Sequence, residues 1–313
     1  MTLRCALPLV MILAGCGTPA ADEDGGPPIG PDAGDGRADI TDAVFEGRSG
    51  DCADHTRSAE AFVTDVNEMR DFEARVDLVA GEAACMLTSN AIPNHDFDDA
   101  AGAFVTSVAE RETTFVIPRR PTMASAPTEL ELRSYDGVFL NGVVLDLLAA
   151  GCFGVGDGRI GCFDRSTPWR YDPMAPGAGF GTDSHNAHTQ PDGRYHYHGD
   201  PLAMYGEPER GPSPVTGFAA DGFPIYGPYF DDGVEVRAAR SGFTLREGTR
   251  PDGPGGAYDG TYVDDWEFTG AGDLDECNGM TVDGQYGYYV TATFPWILRC
   301  LRGAPDPSFD KMM

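Results

Sequence analysis

Four of the chain's six histidines fall between residues 185 and 198, at His185, His188, His196 and His198. The last two belong to the run Tyr195-His196-Tyr197-His198. Side chains alternate along an extended strand, so His196 and His198 share one face and Tyr195 and Tyr197 take the other. A strand rises ~3.3 Å per residue, which sets the two histidine Cα atoms roughly 6.5–7 Å apart. Imidazoles at that spacing can converge on one ion lying about 2 Å from each nitrogen. His185 and His188 precede a Pro191-Asp192-Gly193 turn that could fold them back over the strand. Neutral imidazole suits several transition metals, zinc and copper among them, and the residue type alone does not choose. The competing reading is structural, because histidines also serve as hydrogen-bonding groups in tight loops. Convergence of the ring nitrogens separates the two.

Other chemistries fit poorly. His196-Tyr197-His198-Gly199-Asp200 begins like the HxHxDH pattern of metallo-β-lactamase-type hydrolases, but Pro201 stands where the last histidine is needed. A cupin-like set needs a glutamate four or five residues after His198, where Leu202 and Ala203 stand, with Met204 next. No Gly-x-Ser-x-Gly elbow or phosphate-cradling glycine loop is present. No catalytic residue is assigned on these grounds. A second function class is a non-catalytic surface module, with Tyr195, Tyr197, Phe223, Tyr226 and Tyr229 lining a groove for a glycan or peptide.

The elements that must position the histidines read as strands. Short runs rich in β-branched and aromatic residues, such as Thr113 to Ile117, Val138 to Leu140, Phe223 to Tyr226 and Tyr286 to Thr293, are bounded by turn residues. The fold class is therefore all-β, a predominantly antiparallel sandwich or barrel-like domain. One segment is ambiguous: Ala59, Phe62, Val63, Val66, Met69 and Phe72 fall at helical spacing, yet their types also favour strands. A faint repeat aligns Asp192 to His198 with Asp283 to Tyr289, each preceded by an asparagine, Asn186 or Asn278. Two such turn-plus-strand units could sit side by side in one sheet.

The beginning of the chain reads as an address. Arg4 precedes an apolar run that closes on Leu13-Ala14-Gly15-Cys16, the pattern of a bacterial lipoprotein signal peptide over residues 1–15. The run is shorter than the roughly 20 residues that span a bilayer. Cleavage would leave Cys16 as a lipidated N-terminus, with palmitate-type chains anchoring the protein to a membrane. Gly17 follows, not aspartate, which points to the outer membrane or cell surface. Residues 16–45 are acidic and rich in glycine and proline, the composition of a disordered spacer. Residues 46–84 then form an N-terminal extension of the β domain, and 304–313 a C-terminal tail. A formal net charge of −28 argues against nucleic acid as a partner. Apart from Cys5 and Cys16, the chain has Cys52, Cys85, Cys152, Cys162, Cys277 and Cys300. An even set in an exported chain reads as three disulfides, most simply paired in sequence order.

His185-Asn186-Ala187-His188 through Tyr195-His196-Tyr197-His198-Gly199, then Gly217 to Pro228, resembles the YHYH domain family. Ser89 to His95, Leu274 to Gly279, and Phe294-Pro295 through Gly303 extend the resemblance over residues 85 to 303. It implies a secreted, β-rich domain and names no activity. The family usually repeats the Tyr-His-Tyr-His motif before the Phe-Pro segment, where this chain reads Tyr286-Gly287-Tyr288-Tyr289. A site needing ligands from both copies would have lost half of them, which makes His95 the candidate for a distant fifth ligand.

Overall fold

The structure is a computed structural model that describes residues 36–100, 104–176 and 179–311. Residues 1–15, expected to be a signal peptide, and Cys16, the expected lipidation site, lie outside the described residues, as does most of the expected spacer. The expected all-β class is found. Helical structure among the described residues is confined to short 3-10 turns, and none is long and apolar enough to cross a membrane.

A five-stranded sheet is built in chain order from β1 (Ala38–Asp39), β2 (Arg57–Asp65), β3 (Arg70–Ala80), β4 (Ala84–Ser89) and β5 (Thr113–Pro118). Period-two burial drives it: Phe72, Ala74, Val76 and Leu78 of β3 point inward while Glu73 and Arg75 face water. The ambiguous segment is thus the β2–β3 hairpin. Phe62 and Met69, which would have completed a helical stripe, are 54 and 87 % exposed, and Val63 opposite Phe72 is core. The spacer ends earlier than its composition implies. β1 pairs with β2, and Ile40, Ala43 and Phe45 are buried, so the fold begins before residue 46. The tail reading of 304–313 is corrected too. Phe309 is fully buried against Phe115, and the Lys311 backbone N–H donates to the Arg133 carbonyl.

The second sheet has eight strands, in the order Gly279–Val282, Gln285–Tyr289, Pro224–Tyr226, Val215–Ala219, Gly137–Phe139, Val144–Leu145, Tyr195–Tyr197 and Ala187–Thr189. Its pairing is two-fold about the Val138–Phe218 pair, with Gly217 opposite Phe139 and Ala219 opposite Gly137. Each half repeats the same plan of an inner hairpin, a parallel neighbour and an antiparallel edge strand. Leu145 beside Tyr197 on one side matches Ile225 beside Tyr288 on the other. The inner hairpins turn at Asn141-Gly142 and Asp221-Gly222, both glycines at φ +87°, the left-handed position such turns demand. Neither glycine has room for a side chain: a Cβ at Gly142 would meet Ser89 at 2.4 Å, and one at Gly222 the Pro118 carbonyl at 2.8 Å. These contacts seat both turns on the first sheet. Inward residues of both sheets form one continuous core.

The repeated units therefore share a sheet without being neighbours. Four strands separate them, a distance of about 24 Å at the usual inter-strand spacing. Disulfides join Cys52–Cys85, Cys152–Cys162 and Cys277–Cys300, the sequential pairing.

Candidate metal centre

His188 and His196 stand directly opposite each other on the antiparallel edge pair, and His198 follows two residues on. Pleating puts all three imidazoles on one face. Nε2 of His198 lies 3.0 Å from Nε2 of His196 and 3.0 Å from Nε2 of His188. His196 and His198 are buried and His188 half-buried.

Asp183 sets this geometry. Its Oδ1 accepts the backbone N–H groups of His185 (3.0 Å) and Ala187 (3.1 Å), and its Oδ2 accepts the Tyr195 hydroxyl (2.7 Å). Asn186 takes a left-handed φ of 59°, and its carbonyl accepts the His198 N–H at 2.9 Å. The turn is thereby locked to the strand that carries the other two histidines.

The electrostatics favour a cation. His188 Nδ1 lies 2.7 Å from the Phe180 carbonyl, so the proton sits on Nδ1 and Nε2 offers its lone pair. Burial holds His188 below the usual imidazole range and His196 and His198 well below it. The three rings are therefore neutral at pH 7. His198 Nδ1 has no hydrogen-bond partner, and its Nε2 lies within hydrogen-bond reach of both neighbours, so a proton on that nitrogen can bridge to one of them or give way to an ion. Donors around a tetrahedral ion at 2.0–2.1 Å stand about 3.4 Å apart, so movements of a few tenths of an ångström admit one. Asp146 lies beside the site, its Oδ2 accepting from Lys311 Nζ and Gln190 Nε2, both at 2.6 Å. Its neighbour Asp136 is fully buried, and burial plus the Asp146 charge push its carboxyl up to about 8.

His95 and His185 are placed elsewhere. Their rings stack on each other, with centroids 3.6 Å apart. His95 Nδ1 lies 2.7 Å from the Asp96 carbonyl and its Nε2 2.6 Å from the Tyr197 hydroxyl. His185 Nδ1 lies 2.6 Å from the Pro201 carbonyl. Because Tyr197 points opposite to His196 and His198, the His95–His185 pair sits behind the strand and reaches no shared ion with the triad. Asp51 also clusters with Cys52 and Cys85, but those sulfurs are joined to each other and offer no thiolate.

The other half-sheet keeps the scaffold and lacks the histidines. Asp275 Oδ1 accepts from Cys277 (3.0 Å) and Gly279 (2.9 Å), its Oδ2 takes the Tyr286 hydroxyl (3.1 Å), and Asn278 is left-handed at φ 69°. Positions matching His188, His196 and His198 hold Met280, Gly287 and Tyr289. Tyr226 stacks on Tyr289 at 5.0 Å, and a Cβ at Gly287 would meet the Tyr226 ring at 2.5 Å. Aromatic packing fills that half.

Two contributors escape a motif reading. Asp183 shows in sequence only as the Asp-x-x-Asn spacing shared with Asp275. Lys311, the chain's single lysine, lies far from the cluster in sequence. The aromatic residues offered as a binding platform are core: Tyr195, Tyr197, Phe223 and Tyr226 are buried, and Tyr229 is only partly exposed.

A cavity of about 420 Å³ opens onto all three imidazoles, walled by apolar side chains, Gln190, and the Asp146–Lys311 pair. The family model described as YHYH protein matches residues 114–303, more than half of the chain. No curated protein and no solved structure matches it. The motif strand, its duplicated scaffold and the Phe294 to Gly303 segment all lie within the matched span, and the chain belongs to the YHYH protein family.

Proposed function

We propose that this protein is an exported, lipid-anchored metal-binding protein whose ion, zinc or copper, is held by Nε2 of His188, His196 and His198. One observation carries the reading: Nε2 of His198 lies 3.0 Å from Nε2 of both His188 and His196, and one ring nitrogen from each of the three lies within 4.8 Å of the other two. His95 and His185, by contrast, direct their ring nitrogens at backbone carbonyls and the Tyr197 hydroxyl. Two intermolecular settings agree with the sequence. The Leu13-Ala14-Gly15-Cys16 pattern supports lipidation at Cys16 and attachment to the outer membrane or cell surface, and three disulfides suit an oxidising compartment. The ligand set comes from one copy of the repeat, so the histidines lacking at the second copy are not required.

The test is elemental analysis of tag-free protein after equilibrium dialysis against zinc or copper. One equivalent is expected in the wild type and in His95→Ala and His185→Ala, with loss in His188→Ala and His196→Ala. No bound metal, or loss confined to the His95 and His185 variants, overturns the assignment. The anchor is tested separately, by palmitate labelling that Cys16→Ser abolishes.

A further inference from the structure

The triad supplies three donors, and among the described residues no fourth histidine, cysteine or carboxylate joins them. Three protein ligands with an open position is the arrangement of sites that exchange a ligand, whereas closed structural sites use four. The open side matters here because it faces the 420 Å³ cavity, whose size falls within the range of small-molecule sites.

The cavity wall has a particular chemistry. Leu132, Leu148, Phe180, Ile160 and Phe163 line it, and Ile160 and Phe163 are 53 and 65 % exposed. Large apolar side chains grouped at one mouth mark a contact surface more often than an accident of folding. Both sit on or beside the loop that Cys152–Cys162 closes, which fixes them over the opening. The charge at the inner end is equally defined. Neutral imidazoles leave the ion's positive charge uncompensated, and the Asp146 carboxylate is already engaged by Lys311. Arg159 stands at the rim. The acidic remainder of the surface is screened by physiological salt beyond ~8 Å.

Resting on the triad reading above, we propose that the ion's exchangeable position takes a small amphiphilic organic anion. A carboxylate or phenolate head binds the ion in place of water, and a hydrocarbon body lies along Leu148, Phe180, Ile160 and Phe163. The cavity selects for both parts at once, since the head alone leaves the apolar wall wet and the body alone leaves the ion's charge unmet.

The experiment uses the full chain loaded with Co(II), whose visible absorption reports the coordination shell. Three probes are titrated: acetate, 4-phenylbutyrate and 4-phenylbutyramide. The expected result is a spectral change with 4-phenylbutyrate at concentrations on the order of tenfold or more below those acetate needs, and none with the amide. The rim variant Ile160→Ser/Phe163→Ser, at exposed positions that the core does not need, should bring 4-phenylbutyrate back toward acetate and leave acetate unchanged. Equal affinity for acetate and 4-phenylbutyrate, or a normal Co(II) band that ignores every probe, refutes the ligand and leaves the triad standing. Absence of a Co(II) band strikes the triad itself, and this ligand with it.

Discussion

Removing the disulfides one at a time should order them by the loops they close. Cys52–Cys85 spans 33 residues, Cys277–Cys300 spans 23 and Cys152–Cys162 spans 10. Loop-closure entropy in the unfolded chain gives about 3.7, 3.4 and 2.7 kcal/mol at 25 °C for the three. The perturbation is a paired cysteine-to-alanine substitution at each bridge. Urea unfolding at pH 7, followed by far-UV circular dichroism, reads the loss directly. Thermal melts should agree, at roughly 2–4 °C per kcal/mol for a chain somewhat shorter than this one. The first bridge ties the turn before β2 to β4, across the whole β2–β3 hairpin, so its loss should be the largest. The third should cost least in stability while loosening Ile160 and Phe163 over the histidine cavity. Loss of under about 1 kcal/mol on removing Cys52–Cys85, or a greater loss on removing Cys152–Cys162, would refute the loop-entropy reasoning.

Other outcomes follow from single contacts. Tyr197→Phe removes a hydroxyl that receives Asn141 Nδ2 at 3.0 Å and meets His95 Nε2 at 2.6 Å. Stranding these buried groups should cost about 1–3 kcal/mol, read by chemical denaturation. Gly287→Ala should cost a similar ~1–3 kcal/mol, because its Cβ would meet the Tyr226 ring at 2.5 Å and the Pro224 carbonyl at 2.9 Å. Asp172 is buried, and burial raises its carboxyl to about 6 despite the Trp296 indole N–H. A raised folded-state pKa means the stabilising protonated form is complete below the unfolded value of 3.8 and lost as pH rises through 6. Asp172→Asn should therefore gain about 3 kcal/mol relative to wild type between pH 3.5 and pH 7. An unchanged difference across that range would contradict it.

The histidine cluster was legible because strand alternation is a local rule. It correctly placed His196 and His198 on one face, and the turn residues correctly returned His188 to them. The same rule, applied to Tyr197, explains why His95 sits behind the strand. Sequence did not declare that contact because it joins residues far apart in the chain. His185 is turned away by the left-handed Asn186 beside it, a conformation that spacing does not announce. The repeat was visible as Asp-Gly followed by tyrosines. Its placement at opposite ends of the sheet depends on parallel pairings between distant strands, which leave no local signature. Lys311 read as part of a tail since a terminal polar segment carries no periodicity, yet Phe309 anchors it and Asp146 receives its charge. In β2 and β3, apolar residues at helical spacing proved to be two strands in which one phenylalanine faces water.

The central claim is three imidazoles on one ion, and anomalous diffraction from crystals of the zinc- or copper-loaded protein addresses it without intermediaries. A single strong peak is expected about 2 Å from Nε2 of His188, His196 and His198. A peak between His95 and His185, or none within reach of the triad, would contradict it.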